Sequence, residues 1–156
     1  MIGFALLLAL LDVFVVSQIS FWGVVPLLCA VLVYMFRYEA RMVELVMAAS
    51  VYAFVVSMFS SASQAFVVML ATSLAAFVSI GLLRVIGDSR LRIRMRGYDA
   101  SLVGISFVFT HWLTLAAWSL SAVSLRQLTI FVLWSTVLTL GLMITVDLIQ
   151  RKVAVR

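Results

Sequence analysis

Two acids and one histidine, Asp12, Asp147 and His111, stand inside stretches of sequence that are otherwise hydrocarbon. A charged group within a bilayer costs several kcal/mol, so an ionisable residue in such a place is a functional candidate by default. Asp12 falls just past the middle of the first apolar stretch and His111 just past the middle of the fifth. Those stretches run in the same direction, which puts the two residues at comparable depth. In one reading they face each other and share a proton or a hydrogen bond. In the other, His111 stays neutral and bonds a nearby hydroxyl such as Thr110 or Thr114, while Asp12 is protonated or reaches water. Length alone does not fix the rotation of a helix about its axis, so both readings stand. Asp147 lies near the inner end of the sixth stretch, where Arg151 at i+4 makes an interfacial ion pair with it; Glu44 near Arg41 is similar.

The remaining residues exclude most chemistry. A retinal Schiff base needs a lysine in a span, and the one lysine, Lys152, is in the C-terminal tail. Haem held by two histidines is ruled out by a single histidine, and one His with one Cys provides no zinc or iron cluster. The lone cysteine, Cys29, cannot form an intramolecular disulfide. There is no phosphate-binding Walker-type loop and no Gly-x-Ser-x-Gly elbow; a rhomboid-like Ser and His pair fits the composition but lacks its flanking motif. The expectation is a protein that is not an enzyme, with no cofactor, no metal and no nucleic-acid partner.

The elements that carry these residues follow from hydropathy. Hydrophobic residues fill 66% of the 156 positions and charged ones 11%, against roughly 45–50% apolar content in soluble domains, so the chain is expected in a membrane. Mean hydropathy is +1.27. A helix needs about 20 apolar residues to cross a hydrocarbon core roughly 30 Å thick. The sequence divides into six such pieces near 2–20, 21–37, 43–60, 64–86, 101–122 and 127–147. Runs such as Phe4–Leu11 do not alternate polar with apolar, as barrel strands would, so the spans are read as helices. The fold class expected is all-α: a single six-helix transmembrane domain over 1–156. The first piece lacks a leading Lys or Arg and a small-residue cleavage site, and reads as a retained helix rather than a signal peptide.

Charge orients this bundle. Of the 11 Lys and Arg residues, Arg37, Arg41, Arg84, Arg90, Arg92, Arg94, Arg96, Arg151, Lys152 and Arg156 fall on one side and Arg126 alone on the other. The positive-inside rule then sets both termini in the cytoplasm of a multi-pass inner-membrane protein. Trp22 and Trp118 fall near the outer boundary, and Tyr34, Tyr38 and Tyr98 near the inner one, as interfacial anchors do.

The basic cytoplasmic loop at 87–100 contains Arg90-Leu91-Arg92-Ile93-Arg94-Met95-Arg96. In an extended chain its period of two puts all four arginines on one face, whereas a helix would spread them round its circumference. It serves either as a topology determinant bound to anionic lipid, at about 1 kcal/mol per arginine, or as a docking surface for an acidic partner. A further spacing concerns packing: Ala49 and Ala53 on the third span, and Ala71, Ala75 and Ser79 on the fourth, recur every four residues and allow close approach of those helices.

The arrangement resembles the MreD family, small six-helix inner-membrane proteins of the bacterial cell-elongation machinery. Length, span number, inside termini, the basic tail and Pro26 in Val24-Val25-Pro26-Leu27-Leu28 carry the resemblance. The small-residue turn Ser60-Ser61-Ala62-Ser63 after the third span is kept, while Ser57 stands where that family often has an acid. The resemblance covers the whole chain and is mainly topological. It implies a noncatalytic scaffold that binds an MreC-like bitopic protein and, through it, peptidoglycan synthases. The family is also similar in topology to the substrate-binding membrane subunits of energy-coupling-factor transporters. That alternative implies an outer pocket for a small solute, lined by Trp22, His111 and Trp118, with the Arg-rich loop docking the coupling subunit.

The orientation is open to cysteine-accessibility labelling. Positions in Ser60–Gln64 and near Arg126 should react from outside, and Asp88–Asp99 only from inside; outside labelling of the latter in intact cells would overturn the six-span reading.

Overall fold

The computed structural model describes residues 1–16, 26–36, 41–87, 96–118 and 125–154. Among them the chain is all-helical, with no strand. Six helices run as α1 (Ile2–Leu11), α2 (Leu27–Met35), α3 (Met42–Met58), α4 (Ala62–Gly87), α5 (Arg96–Trp118) and α6 (Leu125–Ala154). Two apolar stretches, Gln64–Ile86 and Asp99–Trp118, are long enough to cross a membrane. The other helices differ from the expected spans in instructive ways. α1 changes to a π-helical turn at Asp12–Val16, a rare geometry that often marks a functional position. α2 starts only at Leu27, because Pro26 at its N-cap has no N–H to give and a backbone, φ −77° and ψ 61°, outside the helical region. Its nine residues extend about 13.5 Å, under half of a bilayer core. α6 continues through Asp147 to Ala154, seven residues past the expected end.

α2 is the centre of the bundle. It packs against α1, α3, α4, α5 and α6, and every residue from Leu28 to Tyr34 is buried. A helix that is apolar all round belongs in such a place. Around it, α3 and α4 form a hairpin through Phe59, Ser60 and Ser61 alone. The N–H groups of Phe59 and Ser60 bond to the carbonyls of Val56 and Ser57, and those of Gln64 and Ala65 to Ser61. So short a connection makes the two helices antiparallel neighbours. Ala49, Ala53, Ala71, Ala75 and Ser79 are all buried, and α4 packs closely on both α3 and α5.

Polarity is reversed relative to a water-soluble bundle. The interior holds Asp12, Ser57, Thr72, Ser79, His111, Ser135 and Thr139, while Leu7, Phe14, Phe54, Phe77, Phe109, Leu133 and Ile149 are among many large apolar side chains left exposed. Exposed apolar area on this scale is foreign to soluble monomers. Within the helices some hydroxyls are satisfied locally: Thr72 Oγ1 donates to the Val68 carbonyl at 2.7 Å and Ser79 Oγ to that of Ala75 at 2.8 Å, while Thr139 Oγ1 meets no partner among the described residues. Between helices, Ser79 Oγ meets Ser106 Oγ at 3.0 Å and the Trp112 indole N–H donates to Ser135 Oγ at 3.1 Å.

At the α5 to α6 contact, a Cβ on Gly104 would stand 3.2 Å from Leu140 Cδ2 and 3.6 Å from Thr139 Cγ2. The nearest atom ends a flexible side chain, so Gly104→Ala should be tolerated. Gly104→Leu should overpack the contact and cost about 1–3 kcal/mol, read as a lower melting temperature in detergent.

Candidate functional site

The start of α2 sets a problem that three helices solve together. The first N–H groups of any helix lack partners within it, and in an apolar interior each unsatisfied group costs several kcal/mol. Pro26 removes one donor. The Leu28 N–H donates to Asp12 Oδ2 at 3.3 Å, and the Cys29 N–H donates to the Tyr52 phenol oxygen as well as to the Pro26 carbonyl at 3.4 Å. The Tyr52 hydroxyl in turn donates to Asp12 Oδ2. A carboxyl from the π-helical turn, a phenol from α3 and the opening turn of α2 thus form one hydrogen-bonded junction. Asp12 and Tyr52 are both 0% exposed. Asp12 Oδ1 meets no hydrogen-bond partner among the described residues.

His111 belongs to a different part of the bundle. Its ring lies nearly parallel to Phe107, with centroids 6.2 Å apart, and edge-on to Trp112 at 6.0 Å. It hydrogen-bonds to the Ala71 backbone carbonyl on α4. Nδ1 has no partner among the described residues. Of the two readings of Asp12 and His111, the facing one is not what the structure takes: Asp12 turns to Tyr52 and Leu28, and His111 to Ala71. α1 packs on α2 and α3 while α5 packs on α4 and α6, and the two helices share α2 as a common neighbour. Nor does a threonine take the histidine, since Thr114 Oγ1 donates to the Thr110 carbonyl at 2.7 Å.

The other expected residues are dispersed. Arg90, Arg92 and Arg94 lie outside the described residues, as do Trp22 and Tyr38. Arg96, expected in an extended ladder, is instead the first residue of α5, a helix with Asp99 in its first turn, where negative charge suits the dipole. Asp147 and Arg151 both lie within α6. Trp118 is 54% exposed and stands edge-on to Phe66 at 6.4 Å. Neither Trp118 nor His111 lines either of the two depressions described. The two depressions described are shallow and open outward: one of about 390 Å³ between α3 and α4, with Ala49, Ser50, Ser73 and Ala76 among its lining, and a smaller one along α5 near Ser101 and Phe109. No group of three or more His, Cys, Asp or Glu residues placed to hold a metal occurs among the described residues.

Sequence reading missed Tyr52 and the role of α2. The signals were present, since Tyr52 alone of the four tyrosines falls mid-span and Pro26 stands inside an expected span.

Fold and polarity define the class: a helical bundle with helices able to cross a membrane and a polar junction at its centre. No protein-family model, no curated protein and no solved structure matches this chain.

The junction predicts specific couplings. Tyr52→Phe leaves Asp12 Oδ2 and the Cys29 N–H each short of a partner, and should cost about 1–3 kcal/mol. In a double-mutant cycle on detergent stability, Asp12→Asn and Tyr52→Phe should couple by about 0.5–3 kcal/mol, whereas Asp12→Asn and His111→Phe should add within about 0.5 kcal/mol. Strong coupling of the second pair would contradict the geometry.

Proposed function

We propose that the chain is a six-span protein of the cytoplasmic membrane with both termini inside, and that it acts as a noncatalytic scaffold. It binds partner membrane proteins within the bilayer and through the Arg-rich inner loop. The observation that carries this reading is the groove between α3 and α4. Small residues there, Ala49 and Ser50 on one helix and Ser73 and Ala76 on the other, are flanked by Val46, Met69, Leu74 and Phe77. In lipid, helices associate through close packing rather than apolar burial, and small residues between large ones are what permit it. The occupant proposed is the single transmembrane helix of a bitopic, MreC-like protein, which brings peptidoglycan synthases to the complex.

Two further features support the membrane reading on which this depends. The exposed surface is built of large aliphatic and aromatic side chains, and polar groups such as Thr72, Ser79 and Trp112 bond to their own helix backbone or to a neighbouring helix. The arginines at 90, 92, 94 and 96 add an inner-face attraction for acidic protein or anionic lipid, which salt screens.

Affinity purification in mild detergent followed by mass spectrometry tests the scaffold. Elongation proteins should be recovered, and Ser73→Leu, which fills the groove, should weaken their retention by about tenfold or more, the equivalent of roughly 1.4 kcal/mol. Replacing Arg90, Arg92, Arg94 and Arg96 by Gln should lower recovery in a salt-dependent way. Recovery of nucleotide-binding ATPase subunits instead would identify a transporter subunit.

A further inference from the structure

The hydrogen bonds at Asp12 are distributed unevenly between its two oxygens. Oδ2 accepts from the Tyr52 hydroxyl and from the Leu28 N–H, while Oδ1, equally enclosed, meets no partner among the described residues. A carboxylate spreads its charge over both oxygens and requires donors at each. A neutral carboxyl does not: its carbonyl oxygen accepts and its hydroxyl oxygen carries the proton. With Oδ2 as carbonyl and the proton on Oδ1, the neutral acid leaves one O–H without an acceptor among the described residues, where the anion would leave a charged oxygen bare, so this enclosure suits the neutral form better. Yet the two donors on Oδ2, one of them at the start of a helix, are also those that stabilise an anion. The donors on Oδ2 thus serve both states, and what changes on ionisation is Oδ1, which carries a proton in one and bare charge in the other.

We propose that Asp12 is a proton-binding site within the bundle, at which Oδ1 takes up and releases one proton while Tyr52 and the first turn of α2 hold Oδ2. On uptake, a lone pair of Oδ1 forms the O–H bond with a proton from hydronium, which leaves as water; release reverses the step and returns the negative charge to the carboxylate. The ligand is a proton. Besides Asp12, the titratable groups facing this point are the Tyr52 phenol from α3 and the Cys29 thiol from α2. Arg41 and Glu44 stand exposed at the far end of α3, and Tyr34 is buried at the far end of α2. Asp12 is also the first residue of the π-helical turn, a geometry found often at functional positions.

Infrared difference spectroscopy on the full chain in lipid nanodiscs decides the matter. At neutral pH the protein should show the carbonyl stretch of a neutral carboxylic acid, which moves to lower frequency in D2O, gives way to carboxylate bands as pH is raised, and is lost in Asp12→Asn. Tyr52→Phe removes one hydrogen bond from Oδ2 and should move the same band to higher frequency without abolishing it, a result that does not depend on Asp12→Asn folding. Absence of the acid band from the wild-type protein at neutral pH would overturn the proposal. Loss of the band on adding sodium at constant pH would also overturn it, by making the ligand a metal cation.

Discussion

The buried start of α2 is the constraint on which the rest of this bundle depends. Two quantities show why. A backbone N–H left bare in hydrocarbon costs several kcal/mol, whereas a hydrogen bond between membrane helices contributes only about 0.6 kcal/mol on average. Satisfying the opening turn of α2 therefore gains little beyond avoiding a large loss, and the loss is what fixes the geometry. Asp12 must come from α1 and Tyr52 from α3, at the same depth and pointing inward. Three helices are registered by one junction.

Packing then completes what the junction begins. Because lipid tails are as apolar as leucine, burying Val31 or Leu32 is not favoured over leaving it in the bilayer, and the core holds through contact and shape. Small residues supply the shape. Ala71, Ala75 and Ala76 on α4 are buried and Gly104 on α5 faces Leu140 and Thr139 of α6, while Phe66, Phe77, Ile105 and Phe109 on the same two helices turn outward and Ile80 and Phe107 fill the interior between them. The interior is polar in places because its hydroxyls can close on carbonyls one turn away without leaving the helix.

Much of this was legible in the sequence. Long apolar runs named the helices, and the recurrence of Ala49 with Ala53 and of Ala71 with Ala75 and Ser79 named a face that is buried. What escaped was rotation and interruption. Hydropathy averages over a window, so a proline and a change of helical pitch inside apolar runs leave it almost unchanged. Asp12 and His111 were matched by depth alone, and depth does not tell which way a side chain points. Tyr52 carried the missing information, since a phenol placed ten residues into an apolar run must find a partner, and Asp12 is the acid within reach. The arginines after α4 told a different story at their last member: Arg96 obeys the helix that follows rather than the alternation that precedes it.

The short length of α2 bears on the order in which the bundle can be completed. Nine helical residues enclosed by five other helices have little to hold them on their own, and the partners for the first turn come from both sides in the chain, at Asp12 before it and Tyr52 after it. Until α3 is in place, the opening turn of α2 keeps its bonds to Asp12 and Pro26 but lacks the one to Tyr52. The central helix is thus the one whose surroundings are complete only when elements from both sides of it in the chain have come together.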